Sequence, residues 1–305
     1  MANINKDVVI IGAGPAGLKA ARIFKANNID YVLLEKSAPG GKVNIAPRVD
    51  NYPGKIKIYG PDLAFYLFEE AIKEGVNING EDVLDLIKKD NLFLTTTDQN
   101  VYISKTVLVV SGTEEKKIGL EKEEEMFGKG LSYCALCDGH FFKDEDVIVV
   151  GGGNSALKEA IYLANICSNV YVIHRRNEFR GTSENLNELK EKDNVTILTP
   201  YIPIRILGDD EFEGLEIESK EDGSKKIINA KGFFPLIGQN PNTQFVHIDG
   251  VLDDYKCIPV DKRYESISCK GLFAAGDVLP RVIKQIYLAE YDASVAAKNI
   301  MEYLK

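Results

Sequence analysis

Two cysteines stand close together in Cys134-Ala-Leu-Cys137, with Asp138 beside the second sulfur. Three chemistries use such a pair. A zinc site needs two further ligands. The other cysteines (Cys167, Cys257, Cys269) and the histidines (His140, His174, His247) offer no second pair at ligand spacing. Two buried core cysteines on a helix are the second reading. A redox dithiol is the third and explains most: a C-x-x-C closes a small disulfide, lowers a thiol pKa and passes two electrons by exchange. Asp138 then either caps a turn or relays the proton that exchange requires. His140 reads as a second acid or base, or as an ordinary surface or packed side chain. Cys167 is expected inside a helix, and Cys257 and Cys269 beside strands, all three as packing residues.

A second chemistry is written twice. Asp7 opens D-V-V-I-I-G-A-G-P-A-G-L-K-A-A, and Asp146, 139 residues later, opens D-V-I-V-V-G-G-G-N-S-A-L-K-E-A. Each reads as a buried strand, a glycine turn and a helix, followed by a second apolar run at Tyr31–Leu34 or Val170–Ile173. That is a βαβ unit. Gly12, Gly14 and Gly17 match G-x-G-x-x-G, and Gly151, Gly153 and Ala156 match G-x-G-x-x-A. The first position makes a tight turn, the second admits a pyrophosphate, and the third lets helix and strand approach. Pro15 and Ala16 in one copy, and Asn154 and Ser155 in the other, open the helix whose positive end would hold the pyrophosphate.

The copies differ where the ligands would. Glu35 lies 23 residues after Gly12; a carboxylate there accepts ribose hydroxyls and repels a 2′-phosphate. The same offset from Gly151 gives His174, then Arg175 and Arg176, with Arg180 a turn later. Arginine forks suit phosphate. The first copy reads as an FAD or NAD site and the second as an NADP site, against a solvated basic surface for the arginines. Two dinucleotide sites in one chain imply a flavoprotein that takes hydride from a nicotinamide. Gly276-Asp277 ends an apolar run from Gly271, and the acid there reads as a ribityl or pyrophosphate contact or as a simple turn.

The elements that must position these groups follow from length and pattern. The 305 residues suit two domains and a real core. If Asp277 serves the first glycine turn, the flavin domain is split and the second βαβ domain is inserted in it. The fold class is then α/β, with two Rossmann-like three-layer dinucleotide-binding domains. The expected boundaries are 1–112 and 243–305 for the FAD domain and 113–242 for the NADPH domain carrying the C-x-x-C. Val83–Val110 and Val195–Phe234 alternate like outer strands, and Val282–Tyr303 has a helical pattern that closes the flavin domain. A net charge of −9 argues against nucleic acid and anionic membrane as partners. No apolar run reaches signal-peptide or membrane-span length, so a cytoplasmic location with mostly reduced thiols is expected.

Taken together the chain, from Val8 to Ala297, resembles the low-molecular-weight thioredoxin reductase family. The likeness rests on I-I-G-A-G-P-A-G, Asn51-Tyr-Pro-Gly54, S-Y-C-A-L-C-D-G, V-V-G-G-G-N-S-A, H-R-R-N-E-F-R, I-G-Q-N-P-N-T and F-A-A-G-D-V, in order and at matching spacing. The resemblance implies FAD, NADPH, a homodimer and thioredoxin or a thioredoxin-like protein as partner. It assigns Cys137 as the sulfur facing the flavin, Cys134 as the one attacking the partner disulfide, and Asp138 as the proton donor. It extends the flavin contacts to Lys36, Gly41, Lys42, Asn51, Gly112, Lys284 and Gln285. It also implies that the small inserted domain turns about two short crossings, near Ser111–Thr113 and Pro241–Thr243, so that dithiol and nicotinamide meet one flavin in turn.

Three positions depart from the family pattern: Lys42 and Lys284 stand where Gln and Arg are usual, and Gly181-Thr182 stands where alanine is more common. The rival enzymes are a flavin dithiol oxidase and a ferredoxin-fed reductase of the same fold. Neither needs the second fingerprint or its arginines. A flavin redox sensor whose dithiol does not turn over is the rival from another class.

Overall fold

The computed structural model describes residues 1–46, 48–55 and 57–305. From the N-terminus the chain forms β1 (Asn3–Ile11), α1 (Pro15–Ala26), β2 (Tyr31–Glu35), α2 (Gly60–Lys73), β3 (Asn79–Gly80), β4 (Val83–Lys89), β5 (Leu92–Thr97), β6 (Val101–Val109) and β7 (Thr113–Glu115). It continues with α3 (Ala135–Asp138), β8 (Asp146–Val150), α4 (Asn154–Ala164), β9 (Asn169–Ile173), α5 (Ser183–Lys190), β10 (Val195–Leu198), β11 (Tyr201–Leu207), β12 (Gly214–Ser219), β13 (Lys225–Asn229), β14 (Gly232–Pro235) and β15 (Gln239–Pro241). It closes with β16 (Leu272–Ala274) and α6 (Ile286–Tyr303). Two units result: Met1–Glu114 with Asn240–Lys305, and Glu115–Gln239. Where the chain passes between them, β7 and β15 pair as a two-stranded sheet.

In the first unit β1 is central. It pairs in parallel with β2 on one side and β6 on the other. β6 divides its edge: Val101–Ser104 pairs antiparallel with β5, and Val107–Val109 pairs in parallel with β16. The run Val8-Val-Ile-Ile11 is β-branched and buried on both faces, as a central parallel strand requires. Val8 and Ile10 join the core beneath α1, α2 and α6, while Val9 and Ile11 join Leu86, Phe93 and Val246 on the opposite face. This alternation is the period of two that separates the faces of a sheet. Helices, parallel sheet and β-meander make three layers.

The second unit repeats the plan. Its parallel sheet runs β10-β9-β8-β14, with the antiparallel sheet β11-β12-β13 apart from it. Val147 and Val149 face the core under α4 and α5, and Ile148 and Val150 face the one shared with Leu215 and Ile217 of β12.

Two expectations are corrected. The last helix begins at Ile286, not Val282, because Gln285 is extended (φ −139°, ψ 151°) and only caps it. Pro280 upstream also cannot donate within a helix. Cys167 lies beyond α4, which ends at Ala164; backbone bonds from Asp144 to Ile166 and from Ser168 to Glu145 pull the chain into a turn there. It is nonetheless buried, as are Cys257 and Cys269. Burial pushes the Cys167 thiol up to about 11 and raises the other two, which keeps all three protonated.

Candidate active site

The first glycine turn joins β1 to α1. Gly12 has φ +108°, and a Cβ there would lie 2.7 Å from the carbonyl oxygen of Val110. A Cβ on Gly17 would lie 1.9 Å from the Gly12 carbonyl, so helix and turn touch. Gly14 is different: a Cβ there would meet nothing within 4 Å. The middle glycine therefore leaves open space at the helix end, while its neighbours close the turn. Pro15 occupies the first helical position, where its missing N–H costs nothing. Ala16 is buried behind it. Among the described residues no side chain caps this N-terminus. At the end of β2, Glu35 accepts the N–H of Ala13 (2.7 Å) and of Ser37 (2.9 Å), which fixes its carboxylate against the turn. Lys36 beside it is exposed.

Residues far apart in sequence join this turn. Gly40 N–H donates to the Ala13 carbonyl, and a Cβ on Gly41 would sit 3.3 Å from Gly14 Cα. Lys42 donates to Thr113 Oγ1 and lies 2.9 Å from Asp277 Oδ2. Asp277 is thus ion-paired, and it sits on a short 3-10 turn, Gly276–Val278, after β16. Gly276 needs its φ of +75°, and its N–H donates to Asp292 of α6. Asp292 is 1% exposed and also accepts from Tyr264 and pairs with Arg281. Asn51 donates to Gln285 Oε1 at 2.7 Å. Gly112 (φ +71°) has open space where a Cβ would be, and Lys284 is half-buried.

The second turn copies the first with different neighbours. A Cβ on Gly151 would meet the Leu236 carbonyl at 2.4 Å, and Ala156, fully buried, packs against the same glycine. Gly153 leaves open space, as Gly14 does. His174 does not point outward. Its ring lies on Gly152, where a Cβ would come within 2.3 Å of it, and it packs at a tilt against Phe179 and bonds the Glu178 carbonyl. Burial, with help from Arg175, Arg180 and Arg176, holds the imidazole below its usual range and so neutral. The three arginines are exposed, and among the described residues no carboxylate pairs with them. The N–H groups of Arg180 and Gly181 both donate to the Gly152 carbonyl, which folds the arginine loop back over the turn. Asn154 accepts from Thr182 N–H and Asn185, tying that loop to the start of α4; Ser155 follows it, partly exposed. A Cβ on Gly181 would meet the tip of the Leu157 side chain at 2.4 Å, so a larger residue there needs that leucine to shift.

In the same unit Cys134 and Cys137 form a disulfide, with Cα atoms 5.3 Å apart. Cys134 is the N-cap of α3, and its Sγ accepts the N–H of Cys137 at 3.2 Å. Ser132 accepts the Cys134 N–H and donates to Asp138 Oδ2 at 2.5 Å, so Asp138 is buried and tied to the same turn. His140 is exposed and packs on Phe141. Among the described residues no three His, Cys, Asp or Glu side chains gather as a metal site, and no helix is long and apolar enough to cross a membrane.

The pyridine nucleotide-disulphide oxidoreductase family model matches residues 6–293. The chain belongs to that family. It is 39% identical over 300 residues to a thioredoxin reductase of Mycoplasma pneumoniae, covering 98% of this chain and 95% of that one. A solved thioredoxin reductase of Streptococcus pyogenes superposes with a TM-score of 0.90 at 34% identity, covering 99% of each chain. A ferredoxin-flavin thioredoxin reductase of Clostridium acetobutylicum is less alike, with a TM-score of 0.54 at 29% identity over 99% of each chain.

Sequence reading passed over Asp292 and Glu159. Asp292 is a charge among Ala289, Ala293 and Ala296 on the inner face of α6, and that misfit was visible. Glu159 stands where the first copy of the repeat has Ala20, which is fully buried. A carboxylate replacing a buried alanine was the available signal.

Proposed function

We propose that the chain is an NADPH-dependent flavoprotein disulfide reductase whose substrate is thioredoxin or a thioredoxin-like protein. The observation that carries this is the Cys134–Cys137 disulfide in the unit that also holds the second glycine turn and three exposed arginines that no carboxylate pairs among the described residues. The residues fit the cofactors. Both turns leave the middle glycine open before a helix N-terminus that no side chain caps among the described residues, which suits a pyrophosphate. In this proposal FAD is held in the first unit by Gly12, Gly14, Gly17, Glu35, Asn51, Asp277 and Gln285. NADPH is held in the second by Gly151, Gly153, Asn154 and Arg175, Arg176 and Arg180. The bound cofactors supply two electrons as hydride.

The protein's own part begins at the sulfurs. Cys137 N–H donates to Cys134 Sγ, a bond that strengthens once that sulfur is an anion and lowers its pKa. Cys134, partly exposed, is the sulfur we assign to attack on the partner disulfide. Asp138 is fixed by Ser132 near the same turn and is our proton donor to the leaving sulfur. The family likeness extends the proposal to a cytoplasmic homodimer.

Anaerobic addition of NADPH to the yellow protein tests the reading. Bleaching of the flavin band, followed by NADPH oxidation that depends on added thioredoxin, is the expected result. A flavin that NADPH does not reduce would favour the oxidase or ferredoxin-fed alternatives.

A further inference from the structure

The short turn that carries the disulfide has a second anion beneath it. Glu159, on α4, accepts the N–H of Ala135 at 2.6 Å and is also bonded by the N–H of Leu136. Those are the two residues between the cysteines. The next amide, Cys137 N–H, goes to Cys134 Sγ. Three consecutive amides at the start of α3 are therefore divided between one carboxylate and one sulfur. While the disulfide is closed the sulfur is neutral and the carboxylate has the field of these amides to itself. In the reduced protein a Cys134 thiolate sits in the field of the same run of amides. Two negative groups on adjacent amides of one short turn oppose each other's ionisation, and their protons come off as a coupled pair.

We propose that Glu159 is the ionisation partner of the reduced dithiol: its charge sets how readily the Cys134 thiolate forms, and it takes up a proton when the thiolate appears. The proposal rests on the reading of Cys134 and Cys137 as the redox relay. Glu159 acts through the turn's amides and so is a positioning residue.

The surroundings suit that part. Burial pushes the Glu159 carboxyl up to about 7, the Ala135 and Leu136 amides pull it down, and Glu115 on β7 pushes it up again. Asp138, the other acid of the turn, is engaged by Ser132. Glu159 is thus poised to change its protonation near neutral pH. The chemistry balances. Opening the disulfide takes two electrons and two protons and yields two thiols. The Cys134 thiol then gives up its proton to solvent as Glu159 takes one up. The thiolate attacks the partner disulfide, forming a Cys134–partner bond and expelling a partner thiolate. Cys137 passes its proton, by way of Asp138, to that partner thiolate and then, as thiolate, breaks the mixed bond and closes the original disulfide. The second partner thiolate takes up the remaining proton, the one Glu159 releases when its sulfur neighbour is neutral again.

The test uses the full flavin-loaded chain with Cys137→Ser, so that one thiol remains in the turn. Its alkylation rate by iodoacetamide is followed from pH 5 to 9, with the modified peptide identified by mass, in this background and with Glu159→Gln added. Glutamine keeps an acceptor for the Ala135 amide but carries no charge. The thiolate midpoint is expected to fall by at least about half a pH unit with Glu159→Gln, or about threefold more thiolate below the midpoint. The curve with Glu159 in place should be shallower than a single-site titration, and that measurement stands even if the glutamine variant does not fold. A single-site curve with Glu159 present, or a midpoint that glutamine leaves unchanged, overturns the proposal. Alkylation needs no turnover, so this failure is distinct from failure of the relay reading, which would show as partner reduction surviving Cys134→Ser.

Discussion

Replacing Arg175 and Arg176 together by alanine is the sharpest probe of the second nucleotide site. Both guanidiniums are exposed and, among the described residues, neither is held by a carboxylate. Neither needs to break an existing ion pair in order to meet a 2′-phosphate. A hydrogen bond to a charged group contributes about 1.5–3 kcal/mol, and solvent exposure puts these at the lower end. Two such contacts sum to about 3 kcal/mol, or roughly 10²-fold, and less where Arg180 compensates. NADPH kcat/KM should therefore fall about 30–300-fold, mainly through KM, because the phosphate is bound alike before and during hydride transfer. NADH should lose less than about fivefold, since it has no phosphate to lose contact with. Folding stability should move by no more than about 0.5 kcal/mol, as for other exposed substitutions. Steady-state rates with each nucleotide, beside a thermal melt, read all three quantities. Equal losses for NADPH and NADH would mean that the arginines serve the fold of the 175–181 loop, and a wild type that prefers NADH would refute the phosphate reading.

Three other outcomes follow from particular contacts. Cys134→Ser or Cys137→Ser should abolish partner reduction yet leave flavin bound and reducible by NADPH; substantial residual turnover would remove the dithiol from the electron path. Gly14→Ala should fold as well as the parent but lose flavin, read as the ratio of visible to ultraviolet absorbance, because its Cβ enters only open space. Gly12→Ala should instead cost on the order of 1–3 kcal/mol in denaturant melts, since φ +108° and the Val110 carbonyl both oppose a side chain; equal stability of the two variants would contradict this division of roles. Asp292→Ala should destabilise by about 3–5 kcal/mol, because it leaves Arg281 and the Gly276 N–H without their buried acceptor; a loss under about 1 kcal/mol would show that water replaces the carboxylate.

What the amino-acid order determined by itself is local. The two glycine turns are legible because a positive φ at Gly12, and no room for a Cβ at Gly17 against Gly12 or at Gly151 against Ala156, are requirements met within a few residues of chain. The strand–turn–helix periods around them are equally short-range, and so is the closure of Cys134 on Cys137. Boundaries that depended on competition were less legible: α6 starts four residues later than its apolar pattern, and Cys167 falls in a turn set by bonds to Asp144 and Glu145. His174 was legible as a residue at the nucleotide offset, but not as a ring laid on Gly152. Only the tertiary structure decided that Lys42 pairs with Asp277, that Asn51 meets Gln285, that Asp292 holds Gly276, and that Glu159 takes the amides between the cysteines. The reason is physical. A backbone turn constrains the residues that make it and leaves a spacing to read, whereas a hydrogen bond or ion pair across the fold is set by how layers stack and leaves no interval in the chain.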